Sequence, residues 1–155
     1  MEPKIYEKEA MPIAGVSGSG DVTGEVWEAY VKLEKISPLA NTIDKAGYEV
    51  RTYPGDKGPG EVHIGMSVRD RNVPAEYKML ALPASLYAKF ELYPAGGYES
   101  SNEEMERWLS DNSEKYRQKY IGDKAYGIEV YDERFKGNNN PESVVPVLVP
   151  IEPVE

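Results

Sequence analysis

Along this chain, short stretches in which apolar and polar residues alternate are separated by two stretches in which apolar residues recur every three or four positions. Residues 4–16 read as strand and run into the breakers Gly15, Gly18 and Gly20. A helix follows, capped by Asp21 or Thr23, with Val26, Trp27, Tyr30, Val31, Leu33 and Leu39 on its apolar face. Pro38 is expected to bend or interrupt its last part, and Gly47 to stop it. Residues 48–53 then read as a strand, the PGDKGPG run at 54–60 as a turn, and 61–69 as a second strand.

The same order recurs in the second half. Residues 77–93 read as a long strand broken at Pro83, and Pro94, Gly96 and Gly97 as a loop. Ser100 or Ser101 with Glu103 or Glu104 suggests a capping box for a helix running to Tyr116. A strand over 125–135, a turn in KGNNNPES and a last strand over 144–151 complete the unit. AMPIAGV (10–16) matches ALPASLY (81–87), YEVRTY (48–53) matches YGIEVY (126–131), and each helix carries one tryptophan, Trp27 or Trp108. Such matches, in order and at similar offsets, point to duplication. The expectation is one α+β domain over 1–155, built from strand-helix-strand-strand units at about 1–72 and 73–155. Two helices on one face of an antiparallel sheet would leave the opposite face free, and a ligand groove is expected there, on the pseudo-two-fold axis.

Composition narrows the function. At 155 residues the chain is long enough to bury roughly two-thirds of its unfolded surface, and its 40% apolar and 29% charged content is that of a globular protein. Twelve tyrosines against two phenylalanines and two tryptophans suit a half-wet pocket, and equally suit strand surfaces. A net charge of −9 without a run of Lys or Arg argues against nucleic acid and anionic membrane as direct partners, and favours cationic ligands. The absence of cysteine excludes disulfides, thiolate metal sites and cysteine nucleophiles. The single histidine, His63, cannot build a multi-histidine metal site and is read as solvent-facing or structural. No cofactor or metal is expected. With neither a leader pattern nor about 18 consecutive apolar residues, a cytoplasmic protein is expected.

Glu129 is the sharpest candidate. In Gly127-Ile128-Glu129-Val130-Tyr131, alternation puts Ile128 and Val130 on one face and Glu129 and Tyr131 on the other. If the apolar pair meets the helices, Glu129 lines the groove, where its charge and neighbouring rings would attract a flat cation. The competing reading is an internal ion pair with Arg51, which occupies the matching repeat position. Tyr48, Tyr53, Met66, Trp108 and Tyr126 are further lining candidates that serve equally as core or rim. Acidic residues within 100–106, and Asp132 with Glu133, are read as a solvated helix end and a strand-end turn.

LPASLYAKFELY, ERWLSDNSEKY, YGIEVYD and VPVLVPIEP, with KIYEKEAMPIAGVSGSG and VWEAYVKL near the start, resemble the gyrase-inhibitor-like effector-binding domain family over nearly the whole chain. The resemblance implies a duplicated strand-helix-strand-strand fold that occurs in ligand-sensing halves of multidrug-responsive transcription activators and as stand-alone proteins. It places a glutamate-aromatic motif on Glu129 and Tyr131, and a tyrosine-alanine-x-phenylalanine motif on Tyr87, Ala88 and Phe90. The implied function is a stand-alone sensor or sequestering protein for planar, hydrophobic, cationic compounds, with Tyr87, Phe90 and Tyr131 as ring walls. No DNA-binding helix pair is expected ahead of the first strand, so regulation would need a protein partner, a transcription factor or gyrase by family analogy. Two alternatives stand beside it: a hydrolase of strained, cyclopropane-bearing electrophiles with Glu129 activating water, and an interaction domain whose groove is filled by its own side chains.

Overall fold

The apolar stripe of Val26, Trp27, Tyr30 and Leu33 becomes helix α1, Thr23–Ile36, in the computed structural model, which describes residues 2–53 and 58–155. The helix stops before Pro38 instead of bending through it, because a residue ahead of proline is pushed out of the helical region. Ser37 there leaves the helical region, at φ −135° and ψ 75°, and its N–H closes the last turn on the Leu33 carbonyl at 2.8 Å. Val31, expected on the apolar face, is 44% exposed. The second helix, α2, spans Tyr98–Asp111. Its expected capping box does not form: Gly97, at φ +93°, occupies the cap, and Ser100 and Ser101 fall inside the first turn. It also ends before Tyr116, where Asn112 turns its side-chain amide onto the Trp108 carbonyl at 2.8 Å.

Ten strands surround these helices among the described residues: β1 Lys4–Lys8, β2 Met11–Ser19, β3 Gly47–Tyr53, β4 Glu61–Ser67, β5 Lys78–Leu82, β6 Ser85–Leu92, β7 Tyr116–Gln118, β8 Tyr120–Ile121, β9 Lys124–Tyr131 and β10 Val145–Pro153. The single strand expected over 4–16 is two, because β1 pairs with β6 while β2 pairs with β4 and β5. The break expected at Pro83 separates β5 from β6. Within the turn expected at 54–60, residues 54–57 lie outside those described.

All pairings are antiparallel, in the order β1-β6-β10-β9-β3-β4-β2-β5, with β7 on β10 and β8 on β9. About the β9–β3 seam, β6-β10-β9 on one side matches β2-β4-β3 on the other. The outer strands cross over: β1, at the start of the first half, extends the strands of the second, and β5, at the start of the second half, extends those of the first. Glu49 pairs with Glu129, Val50 with Ile128 and Arg51 with Gly127, so a two-fold through the Val50–Ile128 pair interchanges Arg51 and Glu129. β2 and β4 lie close together because neither member of the Gly15–Gly65 pair has a side chain: a Cβ on either would collide with a carbonyl of the facing strand.

The helices share one face. α1 packs on β2 and β4 around Val26, Tyr30, Val62 and Ile64, and α2 packs on β6 and β7, with Met105 against Phe90, Val147 and Val149. The other face is not free. Met11, Ile13, Tyr48, Val50, Tyr87, Tyr126, Ile128 and Leu148 form a core there without any helical residue. Tyr6 of β1 and Leu80 of β5 pack against that core, so curvature brings the sheet's own edge strands over it and removes its apolar surface from water. Burial on both faces explains why these strands carry more apolar residues than strict alternation requires. Among the described residues, neither helix is long and apolar enough to cross a membrane.

Candidate functional site

α1 and α2 cover the two flanks of the sheet and leave β3 and β9 bare between them, at the bottom of a cavity of about 1060 Å³. Alternation along β3 turns Glu49, Arg51 and Tyr53 toward this space, and alternation along β9 turns Gly127, Glu129 and Tyr131. Thr23 and Trp27 of α1 form one wall, and Asn102, Met105, Glu106 and Leu109 of α2 the other. The rings of Trp27, Tyr131 and Phe135 meet edge to face, with centroids 5.2 Å and 4.9 Å apart. Gly47, paired with Tyr131 across the seam, leaves room for the indole to lie against the strand. At the rim, the Tyr98 hydroxyl of α2 donates to Asn138 Oδ1 at 2.9 Å.

The floor is electrostatically uneven. Glu49 is 3% exposed and has a partner on each oxygen: Trp27 Nε1 donates to one at 2.8 Å, and Arg51 Nε to the other at 2.9 Å. A second guanidinium nitrogen of Arg51 donates to Thr23 Oγ1 at 2.9 Å. Glu129 accepts the Tyr131 hydroxyl at 2.8 Å, but Arg51 stands 3.5 Å away, and a fifth of the side chain faces the cavity. Burial pushes the Glu129 carboxyl up to about 7, and the Glu49 carboxylate opposite adds to the rise, while Tyr131 and Arg51 oppose it. Burial, then the charges of Glu129 and Glu49, hold the Tyr131 phenol well above its usual range, so it stays a neutral donor. Among the described residues, the cavity therefore has an apolar, aromatic body and a floor holding two carboxylates to one guanidinium.

No family model and no curated protein matches this chain. Solved structures do. SAV2435 bound to tetraphenylphosphonium superposes with a TM-score of 0.61 at 15% identity, covering 98% of this chain and 94% of that one. EcmrR, in the cryo-EM structure of the EcmrR-DNA complex in EcmrR-RPo, gives 0.74 at 14% identity over 99% of this chain, which spans 58% of that one. A hydrolase from Listeria innocua gives 0.54 at 14% identity, with 97% and 92% covered. The likeness establishes the fold. It is the antiparallel sheet with two helices that the gyrase-inhibitor-like resemblance implies.

The groove lies on the helix-covered face, between the helices, and not on the opposite face as expected. Ile128 therefore points away from the helices, into the curled core. Of the anticipated residues, Glu129, Tyr131 and Tyr53 turn toward the cavity; Tyr126 borders it from β9 but sends its ring into the opposite, curled core, and five others do not line it. Tyr87, fully buried, faces the curled core, where its hydroxyl meets that of Tyr126 at 3.1 Å. Tyr48 is on that side too, donating to Asp44 Oδ2 at 2.7 Å. Phe90 and Trp108 share a face with the cavity but are packed beneath α2, ring to ring at 5.8 Å, and Met66 lies in the α1 core. The competing Arg51 ion pair exists, but its close partner is Glu49. His63 is buried, with Nε2 2.9 Å from the Ile13 carbonyl and Nδ1 2.8 Å from Ser17 Oγ. Sequence reasoning passed over Glu49, although the alternation that selected Glu129 in β9 selects Glu49 and Arg51 in β3.

Proposed function

We propose that this chain binds a small, flat, hydrophobic organic cation between its two helices, with Glu129 as counter-ion and Trp27, Tyr131 and Phe135 as ring walls. The observation that carries this reading is a largely buried carboxylate that, among the described residues, shares its one cationic partner, Arg51 at 3.5 Å, with the nearer Glu49, at the bottom of an aromatic cavity large enough for a drug-sized molecule. A bound cation would supply the missing charge and stack on the rings, where cation–π attraction adds to burial. SAV2435 bound to tetraphenylphosphonium supports a hydrophobic organic cation as the ligand; that ion is tetrahedral, so it speaks for the charge and the rings and not for flatness. The biological role is that of a cytoplasmic sensor or sequestering protein of the gyrase-inhibitor-like kind.

Tetraphenylphosphonium and tetraphenylborate have nearly the same shape and opposite charge. The cation is expected to raise the unfolding temperature and quench Trp27, and the anion to do neither. Glu129→Gln is expected to weaken the cation by about 1–3 kcal/mol. Equal binding of both ions, or full cation affinity in the variant, would refute the proposal.

One observation favours a second reading. A carboxyl titrating at about 7 is suited to take a proton from water near neutral pH, and a Listeria innocua hydrolase shares the fold. If Glu129 is such a base, Glu129→Gln retains binding of a strained electrophile and loses its turnover. Turnover surviving in the variant would remove this reading.

A further inference from the structure

We infer that Arg51 sets the charge class of the ligand: held closer to Glu49 than to Glu129, it leaves the described cavity floor one positive charge short of its two carboxylates, so the cavity takes monocations and gains little from a second positive charge. The inference rests on the proposed cation site and adds to it which of two carboxylates is available and how many charges a ligand can satisfy.

The geometry separates the two glutamates. Glu49 accepts from Trp27 Nε1 and Arg51 Nε, one hydrogen bond per oxygen, at a position closed to water. Arg51 is fixed in that task from its far side by Thr23 in the first turn of α1. Moving it onto Glu129 would strand a buried carboxylate and break the contact with the helix. Glu129 has the neutral Tyr131 hydroxyl and a guanidinium at 3.5 Å, and it presents its remaining surface to the cavity. Among the described residues, the other charged lining residue is Glu106, which is exposed on α2 where water screens it, and it is unchanged in every comparison below. Without Arg51 the floor would hold two facing carboxylates, the arrangement that a dication satisfies.

A matched charge series tests this: bipyridine, its monomethyl cation and its dimethyl dication, titrated by calorimetry above the Glu129 titration, at about pH 8. In the wild-type protein the first charge should tighten binding by about tenfold or more and the second by less than about threefold. Arg51→Gln should turn the second step into one of about tenfold as well. The double variant Glu49→Gln/Arg51→Gln, which removes both members of the internal pair, should return to a single step. If Arg51→Gln does not fold, the double variant carries the test, since it strands no buried carboxylate; a large second step there would overturn the inference. It is also overturned if wild type gains as much from the second charge as from the first, or if Arg51→Gln leaves the second step small. Absence of any charge step in wild type is a different outcome, and would sink the cation site itself.

Discussion

Glu49 and Glu129 stand directly opposite one another across the β3–β9 seam, both side chains on the cavity face. Like charges at paired positions of a sheet destabilise it. Here the repulsion is concentrated where the two halves of the sheet join, and a single arginine, drawn closer to one of the pair than to the other, relieves it in part. Such an arrangement costs the free protein stability that a bound cation can restore.

That cost should be visible as a pH dependence. Unfolded, the Glu129 carboxyl titrates near 4.5; folded, burial and Glu49 raise it to about 7. Between these values the folded chain holds more proton than the unfolded one, so stability falls as pH rises through that window, and the loss is complete above it. Its size is on the order of 3 kcal/mol. Urea midpoints for wild type and Glu129→Gln, taken at about pH 5 and about pH 8, should diverge, with the variant gaining on wild type at the higher pH. Parallel midpoints would mean that Glu129 is not strained by folding.

Trp27 should matter for its N–H as much as for its ring. Trp27→Phe preserves an aromatic wall but leaves one oxygen of Glu49 without its donor at a buried position, a loss of about 1–3 kcal/mol. Denaturant unfolding checks the size, and a double-mutant cycle checks the cause: in a Glu49→Gln background the cost should shrink. An undiminished cost would assign it to ring packing alone.

The helix stripes and the Pro83 break were legible in the sequence because each is a local property: a period or a breaker. What failed was non-local. Strand alternation divides residues into two faces without saying which face the helices will cover, and in β9 the two sets were assigned the wrong way round. The apolar set Ile128 and Val130 was matched to the helices, whereas the sheet curls and buries that set against its own edge strands. Tyr87 and Phe90 could have been separated beforehand, since positions three apart in a strand lie on opposite faces. Glu49 was hidden because its repeat counterpart is Gly127, so comparing the repeats drew attention to Arg51 and Glu129 instead. The short strands β7 and β8 follow α2 and owe their existence to pairing with β10 and β9, which no local pattern announces.

The two faces of the sheet make a final prediction that separates two tyrosines. Tyr131 reaches Glu129 with its hydroxyl at 2.8 Å inside the cavity, while Tyr87 reaches Tyr126 at 3.1 Å in the curled core. Tyr131→Phe removes the donor that favours the charged form of Glu129, so its carboxyl should titrate higher still and hold its proton more firmly. Cation affinity near neutral pH should then fall, and recover as pH is raised and the proton leaves. Tyr87→Phe should cost about 1 kcal/mol of stability, the worth of one buried hydrogen bond, and leave cation affinity unchanged at every pH. Titrations of tetraphenylphosphonium across pH with both variants decide the matter. If Tyr87→Phe weakens the cation while Tyr131→Phe does not, the ligand lies against the opposite face of the sheet.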